Sequence, residues 1–151
     1  MGEYRYNGCC DQLEWQRDAA GRTVRCLRDA EGRVTDRIES WPGREDIVTR
    51  YLYDFEGNVL EERVETGEIV QVTTSTYDPR GRLVSRTDPG GLVTRYEYDE
   101  AGRRTVTLLP GNATRVEDRY LDGRVKAVHG TSVVAQYYDY HSGQATFLDV
   151  R

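Results

Sequence analysis

A chain of 151 residues with 37% hydrophobic residues, 31% charged residues and a net charge of −5 suits one domain with a thin core and a wet surface. Interleaved acids and bases leave no basic stripe for a nucleic-acid backbone, and no apolar run approaches the ~18 residues of a membrane span. The N-terminus carries no signal-peptide segment, and Tyr6 stands where a myristoylation motif requires Ser or Thr.

Leu, Ile, Val and Phe make up only about a fifth of the chain, near the level at which disorder sets in. Eleven Tyr, two Trp and the modest net charge argue for order instead. So does the spacing of glycine. Gly8, Gly32, Gly57, Gly81, Gly102, Gly123 and Gly143 recur at intervals of 24, 25, 24, 21, 21 and 20 residues. One short unit is therefore repeated along residues 1–151, each copy too small to bury its apolar face except against its neighbours.

Taken in chain order, the segments between turns are short, alternating and rich in Val, Thr and Tyr, with no helical period. The turns fall alternately into two rows. Asn7-Gly8, Asp29 to Gly32, Asp54 to Gly57, Asp78 to Gly81, Asp99 to Gly102, Asp122-Gly123 and His141 to Gly143 form one row. Asp18 to Gly21, Trp41-Pro42-Gly43, Thr66-Gly67, Asp88 to Gly91, Pro110-Gly111-Asn112 and Gly130 form the other. In the fullest unit, Arg82 to Thr87 and Leu92 to Tyr98 read as paired strands. The expected fold is all-β: tandem hairpins in a single long antiparallel sheet of about fourteen strands. At about 4.8 Å per strand the strip is roughly 65 Å wide, and an open sheet of that size curves or spirals.

The Asp-x-x-Gly turn has a local mechanism. Asp bonds its own downstream backbone, the middle residues take type I geometry, and Gly supplies the left-handed conformation of a bulged hairpin. The residue after Gly then lies opposite the Asp, so Asp78 pairs with Arg82, Asp99 with Arg103, Asp29 with Arg33 and Asp18 with Arg22. Each such pair contributes roughly 0.2–1 kcal/mol. Asp78, Gly81, Arg82, Asp99, Gly102 and Arg103 are thus expected to be structural turn residues. On the other face Tyr77 meets Leu83 and Tyr53 meets Val59, the start of an aromatic and aliphatic ladder. Asp54 opposite Asn58, Arg28 before Asp29 and a short two-residue turn at Asp122-Gly123 are expected to be irregular.

The phrase Tyr-Asp-x-x-Gly-Arg closely resembles the YD repeat of the RHS (rearrangement hotspot) family. Tyr77 to Leu83 and Tyr96 to Arg103 match best, followed by Tyr53 to Val59, with weaker copies at Arg28 to Arg33, Tyr120 to Arg124 and Tyr138 to Gly143. The resemblance implies large secreted or cell-surface proteins, including bacterial polymorphic toxins, insecticidal toxin complexes, wall-associated proteins and teneurins. In these, YD hairpins wind into a hollow shell that encloses a C-terminal toxin or toxin-like domain. A chain of seven units implies a piece or a short relative of such a shell.

Chemistry finds few footholds. The recurring carboxylates coincide with turn positions that explain them, so no catalytic residue is expected. Asp139 with His141, or Cys9 and Cys10 with a distant His, lack an activation motif. Cys9, Cys10 and Cys26 form neither a disulfide framework nor, with only His129 and His141, a metal site. Pro89-Gly90-Gly91 precedes no helix and so is no phosphate cradle; no cofactor is expected. Asn112-Ala113-Thr114 is a glycosylation sequon in a turn. Tyr51, Tyr53, Tyr96 and Tyr98 form two Tyr-x-Tyr pairs, candidate glycan contacts against a packing role.

The expected function is a non-enzymatic structural module, part of a shell wall around a toxin or effector, with a glycan-binding or adhesive module as the alternative. Expected partners are flanking repeats or an effector domain, another copy through the sheet edges, and glycans, with neither nucleic acid nor a membrane span.

Overall fold

The structure, a computed structural model, describes residues 2–6, 13–141 and 144–148. The Asn7-Gly8 turn, Cys9, Cys10, Ser142, Gly143 and the side chain of His141 lie outside the described residues.

Fourteen strands follow one another. They are β1 (Glu3–Tyr6), β2 (Leu13–Arg17), β3 (Thr23–Arg28), β4 (Val34–Ser40), β5 (Ile47–Tyr53), β6 (Val59–Thr66) and β7 (Ile69–Tyr77), then β8 (Leu83–Thr87), β9 (Val93–Tyr98), β10 (Arg104–Leu108), β11 (Thr114–Arg119), β12 (Val125–His129), β13 (Gln136–His141) and β14 (Gln144–Leu148). Their order in the sheet is chain order. Each hairpin is therefore made locally, as the turn signals in the sequence require. Pro110–Asn112 forms one 3-10 turn, in which Asn112 takes a positive φ of 64° beside Gly111. No described helix is long and apolar enough to cross a membrane.

The chain divides into two compact units, Met1–Ser75 and Thr76–Arg151, with the division inside β7. In the first, Val24 and Thr49 are buried on one face of the sheet, and Val24 lies opposite Glu39 while Thr49 lies between Arg37 and Val64. The Glu39 side chain, 12% exposed, accepts from Arg22 at 2.5 Å and also from Arg37. The opposite face is laced with charge. Arg50 and Arg63 stand directly opposite each other, a like-charge rung that would be destabilising alone. Glu65 resolves it by accepting Arg63 at 2.7 Å and Arg50 at 2.6 Å, while Arg50 also reaches Asp36 at 3.3 Å. These bonds, Arg63's first, hold the Glu65 carboxyl below its usual range.

In the second unit the buried apolar residues are Ala127 and Val128, neighbours on β12. Asp118 on β11 ties three strands together. It accepts a bidentate pair from Arg104 of β10 at 2.7 and 3.2 Å and lies 3.1 Å from His129 Nε2 of β12. Arg104 is the main cause of a depressed Asp118 carboxyl. Gly130 brings the next turn against β11, where a Cβ would stand 2.3 Å from the Thr114 carbonyl oxygen.

Among the described residues no large side chain is fully buried. Order in this protein rests on backbone ladders, charged rungs and turns, because the sequence supplies too little aliphatic bulk for a thick core.

Candidate functional site

The repeated phrase builds one device at its turns. At Asp78 the backbone closes twice, with Asp78 N–H donating to Arg82 O at 2.9 Å and Gly81 N–H to Asp78 O at 2.9 Å. Asp78 Oδ1 then accepts the amides of Arg80 and Arg82, both at 2.9 Å, and Oδ2 accepts Arg82 Nε at 2.7 Å. The Arg82 amide is the leading reason that the Asp78 carboxyl sits below its usual range. Gly81 has φ 74°, a left-handed value that glycine takes without steric cost.

The same arginine reaches across to the next strand. Its guanidinium lies over the Tyr98 ring at 4.4 Å from the centroid, and the Tyr98 hydroxyl donates to the Leu83 carbonyl at 2.9 Å. The first unit repeats this arrangement. Arg33 Nε donates to Asp29 Oδ2 at 2.7 Å, its guanidinium lies 4.9 Å from the Tyr53 ring, and the Tyr53 hydroxyl donates to Val34 O at 2.7 Å. Arg33 also donates to the Asp54 carbonyl at 3.2 Å, so it bonds its own turn and the following one. Arg124 makes a third copy, bonded to Asp122 and lying 4.4 Å from the Tyr140 ring, which meets Tyr120 edge-on at 6.0 Å. Burial pushes the Tyr53 and Tyr98 phenols up.

The other row of turns uses a related latch. Asp18 and Arg22 close the same backbone pattern, and the Arg22 guanidinium lies 5.2 Å from the Trp41 ring. This gives the Trp41 ring a packing partner that the turn signal at Trp41-Pro42-Gly43 did not indicate. The expected Asp18–Arg22 side-chain pair does not form as a salt bridge; Asp18 Oδ1 takes the Arg22 amide at 3.0 Å, and the guanidinium turns to Glu39.

Two further expectations are corrected. At Asp99 the backbone bond closes on Arg104, not Arg103: Asp99 N–H donates to Arg104 O at 3.1 Å, and Asp99 Oδ1 takes both the Arg103 and Arg104 amides. One extra residue in the bulge puts Arg104 at the closing position, and its guanidinium bonds Asp118 on β11 instead of the turn Asp. At Asp122-Gly123 the turn is not a short one. Tyr120 N–H donates to Arg124 O at 2.8 Å and Gly123 N–H to Tyr120 O at 3.0 Å, so Tyr120 occupies the place of the Asp in the common frame. Asp54 does face Asn58, which donates to it through both backbone and side chain at 2.8 Å, and Tyr53 does lie opposite Val59.

Tyr51 and Tyr53 share a face with rings 6.4 Å apart, tilted by 33°. Tyr96 and Tyr98 likewise alternate onto one side of β9 and are half-buried. Cys26 is free and half-buried. Among the described residues no group of three or more His, Cys, Asp and Glu side chains is arranged to hold a metal ion.

A sheet of tandem hairpins, several of whose turns are latched through an arginine to an aromatic further along the chain, defines a structural repeat module. The RHS Repeat family profile matches residues 77–116, so this stretch of the chain carries an RHS repeat. It is 35% identical over 82 residues to double-stranded DNA deaminase toxin A of Burkholderia cenocepacia (strain H111), a match covering 54% of this chain and 5% of that protein. Its fold is similar to the crystal structure of TcdB2-TccC3-Cdc42 at 17% identity and TM-score 0.59, and to that of TcdB2-TccC3-TEV at 16% identity and TM-score 0.58. Each structural match covers 97% of this chain and 10% of the other. The chain thus spans a small fraction of the proteins that it resembles.

Proposed function

We propose that this chain is a wall segment of an RHS-type shell that encloses a toxin or effector domain in a secreted or cell-surface protein, and that it performs no catalysis itself. The observation that carries this reading is the repeated Asp–Arg–aromatic latch. Arg33, Arg82 and Arg124 each join one hairpin to an aromatic on the next strand, which is what a wall built of small, thinly cored units requires. One named relative, a deaminase toxin, supports the cargo, and the TcdB2-TccC3 structures support the fold as a small part of much longer chains. The acids of the turns are occupied by backbone amides and arginines, which supports scaffold over chemistry.

Limited proteolysis of the natural gene product tests it. The expected result is an effector domain that resists protease in the wild type and becomes cleavable when Arg33, Arg82 and Arg124 are replaced together by Ala. An effector digested equally fast in both, or a gene product that has no effector domain, overturns the proposal.

A further inference from the structure

The connection from β12 to β13 walls a groove on the second unit. Ser132 fastens it to β11, donating to the Thr114 carbonyl at 3.0 Å through its amide and at 2.7 Å through its hydroxyl, and Thr131 Oγ1 accepts the Thr114 amide at 2.8 Å. Val133 and Val134 follow this anchor and stand with Val128 and Tyr138 around an open groove of about 680 Å³. Val128 is buried, whereas Val134 is 83% exposed, an aliphatic side chain held in water by a fastened loop. The Tyr138 hydroxyl donates to Gln136 Oε1 at 2.8 Å, so its polar tip is satisfied and its ring is left as apolar wall. The rim is charged unequally. Arg115 and Arg119 both bond Glu117, at 3.0 and 2.5 Å, so one carboxylate serves two guanidinium groups. Lys126 stands nearby over the Tyr120 ring, whose hydroxyl bonds the Tyr138 carbonyl. Asp118 offers no counter-charge, because it is taken by Arg104 and His129. Within a chain of net charge −5 the rim is a local excess of positive charge.

We propose that this groove binds an aliphatic carboxylate, a medium-chain fatty acid with its tail on the valines and its head on Arg115. The two ends of such a ligand match the two parts of the groove. Three valines and a tyrosine ring cover methylene groups, which gain from leaving water in proportion to the area covered. Arg115 gives Glu117 one donor, and among the described residues its remaining guanidinium donors have no partner, which leaves a fork for a carboxylate. Glu117 does not repel the head, since both of its oxygens are held by arginines. Apolar walls with a few placed polar groups, at a volume within the roughly 300–1,000 Å³ of small-molecule clefts, suit a single chain and not a folded partner. The groove is independent of the shell-wall reading, since it needs only β11 to β13 and the loop that joins the last two.

The test is calorimetric titration of the full chain with sodium octanoate, sodium decanoate and octan-1-ol, each below its self-association limit, with circular dichroism recorded on the same mixtures. Decanoate is expected to bind saturably, about threefold or more tighter than octanoate because two further methylenes are covered. Octan-1-ol, with the same tail and no charge, is expected to bind severalfold more weakly than octanoate. Arg115→Gln is expected to remove the preference for acid over alcohol, and Val134→Asp, at an exposed position, to abolish binding of both with the circular dichroism spectrum unchanged. If Arg115→Gln unfolds, the comparison of octanoate with octan-1-ol on the wild type decides the same point. No saturable binding of decanoate, binding that appears only as the fold is lost, equal affinity for octanoate and octan-1-ol, full affinity in a folded Val134→Asp chain, or binding of phosphatidylglycerol vesicles in preference to decanoate overturns the proposal.

Discussion

The guanidinium of Arg82 lies 4.4 Å from the centroid of the Tyr98 ring while its Nε donates to Asp78 Oδ2 at 2.7 Å. One side chain therefore clamps the turn that precedes it and the strand that follows. The YD phrase reads as two half-devices, because the Tyr of one repeat is capped by the Arg of the repeat before it.

Removing either half weakens the sheet by a different route. Tyr98→Phe keeps the ring but loses the hydroxyl bond to the Leu83 carbonyl, and is expected to cost about 0.5–1.5 kcal/mol in urea unfolding. Arg82→Ala loses the ring contact, about 0.5–1 kcal/mol, together with the Asp78 pair. Arg82→Lys is expected to fall between Arg82→Ala and wild type, since an ammonium cannot reproduce the planar fork.

The two glycines Gly102 and Gly130 separate backbone conformation from space. A Cβ at Gly102, φ 67°, meets nothing within 4 Å, so Gly102→Ala is expected to cost only the left-handed penalty of about 1–2 kcal/mol. At Gly130, φ 134°, the same Cβ stands 2.3 Å from Thr114 O and 2.8 Å from Thr114 C. Gly130→Ala is therefore expected to destabilise more, and to speed amide hydrogen exchange along β11 and β12.

Acid is expected to loosen the protein through its aspartates. Arg104 first, then His129, hold Asp118 below its usual range, the Arg82 amide does so at Asp78, and the Asn58 side chain does so at Asp54. A carboxyl depressed in the folded state stabilises it fully above the unfolded value of about 3.9, and that stability is lost as pH falls through the lower folded value. Urea midpoints should be flat in these terms from neutral pH to about 5 and should drop below that. Asp118→Asn is expected to lower the midpoint at neutral pH and to make the acid drop shallower.

The second row of turns can be read optically. Arg22 lies over Trp41 at 5.2 Å, so in a Trp15→Phe background Arg22→Ala is expected to raise acrylamide quenching of Trp41. Unchanged quenching would mean that the Arg22 contact does not shield the ring.

Much of the fold was legible in residue order because the hairpins are local. Turn chemistry at Asp29, Asp54, Asp78 and Asp88, with a glycine three places on, sets each strand's end without help from distant residues. The frame failed to show at Tyr120, where the turn's first place is held by a residue with no turn signal of its own, and at Asp99, where one extra bulge residue shifts the partner from Arg103 to Arg104. Neither is visible locally, since backbone hydrogen bonding and not side-chain type selects the residue that closes the turn.

By itself, then, the sequence determined the all-β class, the chain-order antiparallel pairing and the row of Asp-x-x-Gly turns, because each depends on contacts within one hairpin. Only the tertiary structure decided what stands across from each turn: Tyr53 under Arg33, Tyr98 under Arg82, Trp41 under Arg22, Asp118 joining Arg104 to His129, and Trp15 between Arg5 and Arg25. The reason is register. Side chains in a sheet alternate faces with period two, so which residues meet across neighbouring strands depends on bulges and turn lengths to a single residue. That precision arises only when the strands have paired.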